Sequence, residues 1–142
     1  MGTKEKERGA FMETINAAGA PAAVGPYSHA ARAGGLVYTS GQVPLVPETG
    51  KLIEGGIGEQ TEQVFRNLAA VLDAAGLDFS NVVKATVFLT DLKDFAVVNG
   101  IYAQKFPRNP PARSCVQVAA LPTGALVEIE LIAAPSARSR AD

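Results

Sequence analysis

Tryptophan is absent, cysteine and histidine occur once each, and neither sign of charge dominates the 142 residues. A single thiol, Cys115, makes no internal disulfide, and no Cys/His cluster has metal-ligand spacing, so no metal is expected. Thirteen basic residues against fourteen acidic ones leave a net charge of −1. That balance lacks the basic stripe that nucleic acid demands, and no nucleic-acid partner is expected. No apolar run approaches the length of a membrane span. Met1-Gly2-Thr3-Lys4-Glu5-Lys6 carries no apolar stretch and no Ser or Thr at position six, so neither a secretory leader nor a myristoylation site is read there. Cytoplasmic localisation is the expectation.

What is present is enough for one folded domain. A hydrophobic content of 47% with 19% charged residues is that of an ordinary globular chain, and the length allows a substantial core. Residues 1–9 and 135–142 are polar and charged and read as mobile tails around a domain at 10–134. A short strand near 11–15 precedes a Pro/Gly-rich loop, and two strands at 29–33 and 36–40 flank the turn Gly34-Gly35. The stretch from Gly41 to Gly56 reads as loop. Ile57, Thr61, Val64, Phe65, Leu68, Val71, Leu72 and Ala75 then recur at helical spacing, with Gly76 where a C-terminal cap belongs. Gly55-Gly56-Ile57-Gly58 lacks the Lys-Ser/Thr of a phosphate loop, so it reads as the entry to that helix. A strand at 82–90 follows, with Val83, Ala85, Val87 and Leu89 as its apolar face. Asp91 can cap a second helix bearing Phe95, Val98, Tyr102 and Phe106 on one stripe, which Pro107 ends. Strands at 112–119 and 126–133 complete an α+β domain with both helices on one sheet face.

The last two strands carry the chemistry. Leu121-Pro122-Thr123-Gly124 reads as the turn of a hairpin between them. In that register Arg113, Cys115 and Gln117 share a face with Glu128 and Glu130, and the alternate residues face the core. Arginine holds a carboxylate through two parallel hydrogen bonds, and a glutamate can orient or deprotonate water. A pocket for a small carboxylic acid is the implication. The sheet face away from the helices, read as carrying Lys84, Thr86, Phe88, Arg113, Cys115, Gln117, Glu128, Glu130 and Ile132, is too apolar for water and too charged for a core. A closed ring of identical chains with ligand sites between them would cover it.

Gly25-Pro26-Tyr27-Ser28, Thr39-Ser40-Gly41-Gln42, Asn67-Leu68, the 82–94 segment, Asn99, Pro111-Ala112-Arg113-Ser114-Cys115 and Glu128-Ile129-Glu130 together resemble the RidA family of reactive-intermediate deaminases. The likeness runs from about Phe11 to Ala134. It implies a chorismate-mutase-like fold, a homotrimer with inter-subunit sites, and no cofactor. It also implies hydrolysis of small 2-imino acids such as 2-iminopropanoate and 2-iminobutanoate to 2-oxo acids and ammonia. Carried across, Arg113 holds the substrate carboxylate, Cys115 lines the pocket through its backbone, and Glu128 orients water. Tyr27, Ser40 and Asn99 match further pocket positions. Pro110 stands where the family commonly has an aromatic, at the pocket rim.

Each residue also has an ordinary structural reading. Arginines usually serve ion pairs, a lone buried cysteine usually acts as a small hydrophobe, and Glu130 reads as a solvated strand charge. With His29 the only histidine and no base for a thiol, Cys115 is not read as a nucleophile. Burial would raise the pKa of Glu128 and a nearby Arg113 would lower it, leaving its proton state open. The alternatives to an enzyme are a non-catalytic small-acid-binding or chaperone-like protein, and a ribonuclease acting as a translation inhibitor.

Overall fold

A computed structural model of the chain describes residues 11–136; the tail expected at 1–9, and that at 135–142 beyond Ser136, lie outside them. The elements in order are β1 (Glu13–Ile15), β2 (Ala30–Ala33), β3 (Leu36–Thr39), β4 (Leu45–Val46), β5 (Lys51–Leu52), α1 (Ile57–Ala74), β6 (Val82–Leu89), α2 (Phe95–Lys105), β7 (Ala112–Gln117) and β8 (Val127–Ala133). Six strands form one mixed sheet in the order β1-β2-β3-β8-β6-β7, and β4 pairs with β5 in a separate ribbon. Both helices pack on one face of the sheet, which is the expected α+β class.

The α1 stripe explains that packing. Val64, Phe65, Leu68, Val71 and Leu72 lie three or four residues apart and are all buried. Each contributes roughly 1.5–3 kcal/mol on leaving water, well above any difference in helix propensity. The helix starts at Gly56, whose N–H donates to Glu59 Oε1 at 2.9 Å. Gly55 precedes it with φ +116°, and a Cβ there would fall 2.6 Å from Glu59 Cγ. Gly76, with φ +76°, closes the other end, where Leu77 N–H donates to Leu72 O. The glycines on both sides thus act as helix entry and exit.

On the sheet, Ala85, Val87 and Leu89 of β6 lie beside Val127, Ile129 and Leu131 of β8 under the helices. Phe65, Tyr102 and Phe106 add an aromatic cluster between α1 and α2, with ring centroids 4.6–6.3 Å apart. Asp91 Oδ1 accepts from Lys93 N–H at 2.9 Å and caps a short turn that leads into α2. Val83 departs from the expected apolar face: a bulge between Val82 and Lys84 turns it outward.

The largest correction concerns the last two strands. They are not a hairpin, because β6 lies between them, parallel to β7 and antiparallel to β8. Ala85 faces both Arg113 and Leu131, while Val87 faces both Cys115 and Ile129. Arg113, Cys115 and Gln117 therefore lie on the helix-covered face. Ser114 and Val116 share the open face with Glu128 and Glu130, reversing the expected grouping. The connection from 118 to 126 passes the end of β6, which hydrogen-bonds on both sides: Val118 N–H to Leu89 O and Thr90 N–H to Leu126 O.

Candidate active site

Arg113 stands on β7, the edge strand, where the sheet meets α2. Its Nη1 donates to Asn99 Oδ1 at 2.8 Å. Its guanidinium carbon lies 4.7 Å from the Tyr102 ring centroid and 5.3 Å from that of Phe95. Among the described residues no carboxylate lies within ion-pair distance of it; the ion pairs there join Arg32 to Glu13 and Lys105 to Glu62. A cavity of about 390 Å³ opens beside it, walled by Asn99, Ala103, Phe106, Pro110 and Pro111. The helical spacing of Asn99 and Tyr102 places both on the α2 flank that faces β7. Partial burial pushes the Cys115 thiol up, and the Arg113 charge only partly offsets this. A thiol held protonated in this way is a poor nucleophile.

The second group lies on the other side of the sheet. Glu128 projects from β8 on the open face, two residues from Glu130 and opposite Phe88. Burial raises its pKa above the ordinary carboxylate range, and the Glu130 charge raises it further. The expected opposition from Arg113 does not operate within the chain, since the two side chains face opposite ways. Gly41 passes so close over Glu128 that a Cβ would overlap its carboxylate. Two interactions hold that crossing. Gln42 exchanges backbone hydrogen bonds with Ile129 at 2.9 and 3.2 Å. Asn67, buried on α1, donates to Val43 O at 3.1 Å and Leu45 O at 2.9 Å.

Ser40 leads into this crossing, its hydroxyl donating to Ser28 O at 2.7 Å. Tyr27 is half exposed beside it, and both line a cleft of about 490 Å³ with Thr14, Tyr38 and Thr39. His29, the only histidine, is structural: Nδ1 accepts from Ala17 N–H at 2.9 Å and Nε2 bonds Pro21 O at 2.7 Å.

The residues singled out in the sequence thus form two groups. Arg113, Asn99 and Cys115 occupy the helix-side edge; Tyr27, Ser40 and Glu128 belong to the open face and its margin. Phe95, Tyr102, Gly41 and Asn67 were not assigned roles from sequence. A polar residue inside an apolar helical stripe was the available signal for Asn67. Phe95 gave none, because its stripe read as core.

The family described as Endoribonuclease L-PSP matches residues 17–135. Reactive Intermediate Deaminase A, chloroplastic, of Arabidopsis thaliana is 53% identical over 121 residues, covering 85% of this chain and 65% of that protein. The 2-iminobutanoate/2-iminopropanoate deaminase of Homo sapiens is 50% identical over 123 residues, covering 87% of this chain and 90% of its own length. The crystal structure of RidA from an Antarctic Psychrobacter superposes with a TM-score of 0.83 at 50% identity, covering 87% of this chain and 99% of that one.

Proposed function

This chain belongs to the Endoribonuclease L-PSP family, and on that premise we propose that it is a deaminase of small 2-imino acids, with sites completed by a second copy of itself. The observation that carries the reading is Arg113. Its guanidinium is fixed by an amide and two rings, yet no carboxylate among the described residues neutralises it. A substrate carboxylate is the matching partner. The relatives named as reactive intermediate and 2-iminobutanoate/2-iminopropanoate deaminases supply the reaction class.

In this scheme water adds across the C=N bond: its oxygen bonds to C2, and the imine nitrogen becomes an amine. Glu128 accepts the water proton and returns it to that nitrogen. The proton of the new hydroxyl then passes to the amine, again through Glu128, the C–N bond breaks, ammonia leaves, and C2 becomes the carbonyl of a 2-oxo acid. A carboxyl whose pKa burial and Glu130 raise above its ordinary value holds a proton more firmly than a free glutamate, which suits a group that takes up a proton and hands it on. Tyr27, Ser40 and the Cys115 backbone are assigned to orienting the imine and the water, and Asn99 to steadying Arg113. No step calls for a metal or cofactor, and the described residues hold no His/Cys/Asp/Glu cluster suited to a metal.

Arg113 and Glu128 point to opposite faces of one sheet, which argues for sites shared between copies. The open face supports the same reading: Tyr38 and Val116 are exposed there, and among the described residues no strand pairs with the outer edge of β7. A closed trimer in the cytoplasm is the arrangement assigned. The ribonuclease reading has little electrostatic support, since the net charge is −1 and Glu128 and Glu130 oppose Lys84 on the open face.

The test generates 2-iminopropanoate with an amino-acid oxidase and traps what remains with semicarbazide. The expected outcome is that the wild type suppresses semicarbazone formation and Arg113→Ala loses at least about 10²-fold in rate. Full activity in Arg113→Ala would remove the carboxylate clamp. No suppression by a folded wild type would return the chain to the small-acid-binding reading.

A further inference from the structure

We propose that Phe95 and Tyr102 are positioning residues for the reaction: their ring faces hold the Arg113 guanidinium in the orientation that receives the substrate carboxylate. This rests on the deaminase reading above and adds to it.

Arginine ends a long chain with many rotamers, and a clamp works only when its fork is aimed in advance. Among the described residues no ion pair does the aiming. The guanidinium carbon lies 4.7 Å from one ring centroid and 5.3 Å from the other, within the roughly 6 Å over which a cation is drawn to an aromatic face. Asn99 Oδ1 takes one N–H at 2.8 Å, leaving the rest of the fork unneutralised. Aromatic faces attract the cation without pairing its charge, as a carboxylate would. The guanidinium is therefore held and still able to bind an anion.

Two features of the rings suit this role better than a packing role alone. Phe95 opens α2 and remains 38% exposed, although its stripe partners Val98, Tyr102 and Phe106 are buried. Tyr102 buries its hydroxyl without a hydrogen-bond partner among the described residues. The ring, not the O–H, is the part of Tyr102 that has a contact to make.

The experiment measures kcat and KM for imine hydrolysis in Phe95→Leu, Tyr102→Leu and Tyr102→Phe, together with calorimetric binding of 2-oxobutanoate and its neutral amide. Phe95→Leu and Tyr102→Leu are expected to raise KM roughly 5- to 30-fold with little change in kcat. Tyr102→Phe is expected to stay within about twofold of wild type, since it retains the ring face. Binding of 2-oxobutanoate should weaken by the same factor as KM rises, and binding of the amide should not change. Phe95 lies at the margin of the core, so Phe95→Leu keeps the test decisive if Tyr102→Leu fails to fold. An unchanged KM in Phe95→Leu, or equal weakening of acid and amide, overturns this inference while the deaminase reading stands. A wild type that neither hydrolyses imine nor binds 2-oxobutanoate overturns both.

Discussion

Glu128 and Glu130 share one face of β8, and at Glu128 burial and the neighbouring carboxylate together raise the pKa. A base works in its ionised form, so a raised pKa moves the acid limb of the activity profile toward neutral pH. Activity should fall as pH drops through a midpoint above the ordinary carboxylate range. Glu130→Gln removes the negative charge that disfavours ionisation of Glu128, so the midpoint should move to lower pH. A kcat/KM profile of the two proteins checks this; a limb that stays in place or moves upward excludes Glu128 as the titrating group. At this scale the sequence was informative about residue identity and poor about environment. Arg113 and Glu128 were legible through the motifs around them. That Glu130 and not Arg113 acts electrostatically on Glu128 was not, because the face on which Arg113 lies depends on which strands are neighbours. Phe95 showed the same limit, its role being set by an arginine on a strand that only the fold brings near.

The crossing of the 41–45 segment over β8 makes Gly41 a structural part of the site. Its φ lies outside the left-handed region, so a side chain there would be strained by contact with Glu128 rather than by the backbone. Gly41→Ala should displace the Glu128 carboxylate and lower kcat by about 10²-fold, with little change in Tm. An active Gly41→Ala would show that the position of this carboxylate does not matter. Element existence was largely readable: the α1 stripe, its glycine ends and the β6–α2 succession follow from periodicity and caps. Pairing was not. Polar and apolar residues alternate in β7 and β8, and a turn-like sequence lies between them, a pattern shared by true hairpins and by strands that admit a third between them. The β4–β5 ribbon was also missed, since two residues per strand are too few for alternation to register.

At the scale of the molecule, one sheet carries two separated groups of candidate residues. The Arg113 group opens at the β7 edge under α2, and the Glu128 group opens on the uncovered face. A hairpin of β7 and β8 would have put both groups on one face of one chain, whereas the observed strand order divides them and so favours a shared site. An inter-subunit site also gives the apolar residues of the open face a partner. The most direct measurement co-expresses Arg113→Ala and Glu128→Gln chains carrying different tags, isolates the mixed oligomers and assays imine hydrolysis. Each variant alone should be inactive. In each mixed trimer an intact arginine meets an intact glutamate at one interface of three, so about a third of wild-type activity should return. Mixed oligomers as inactive as either parent would contradict a site built from two chains.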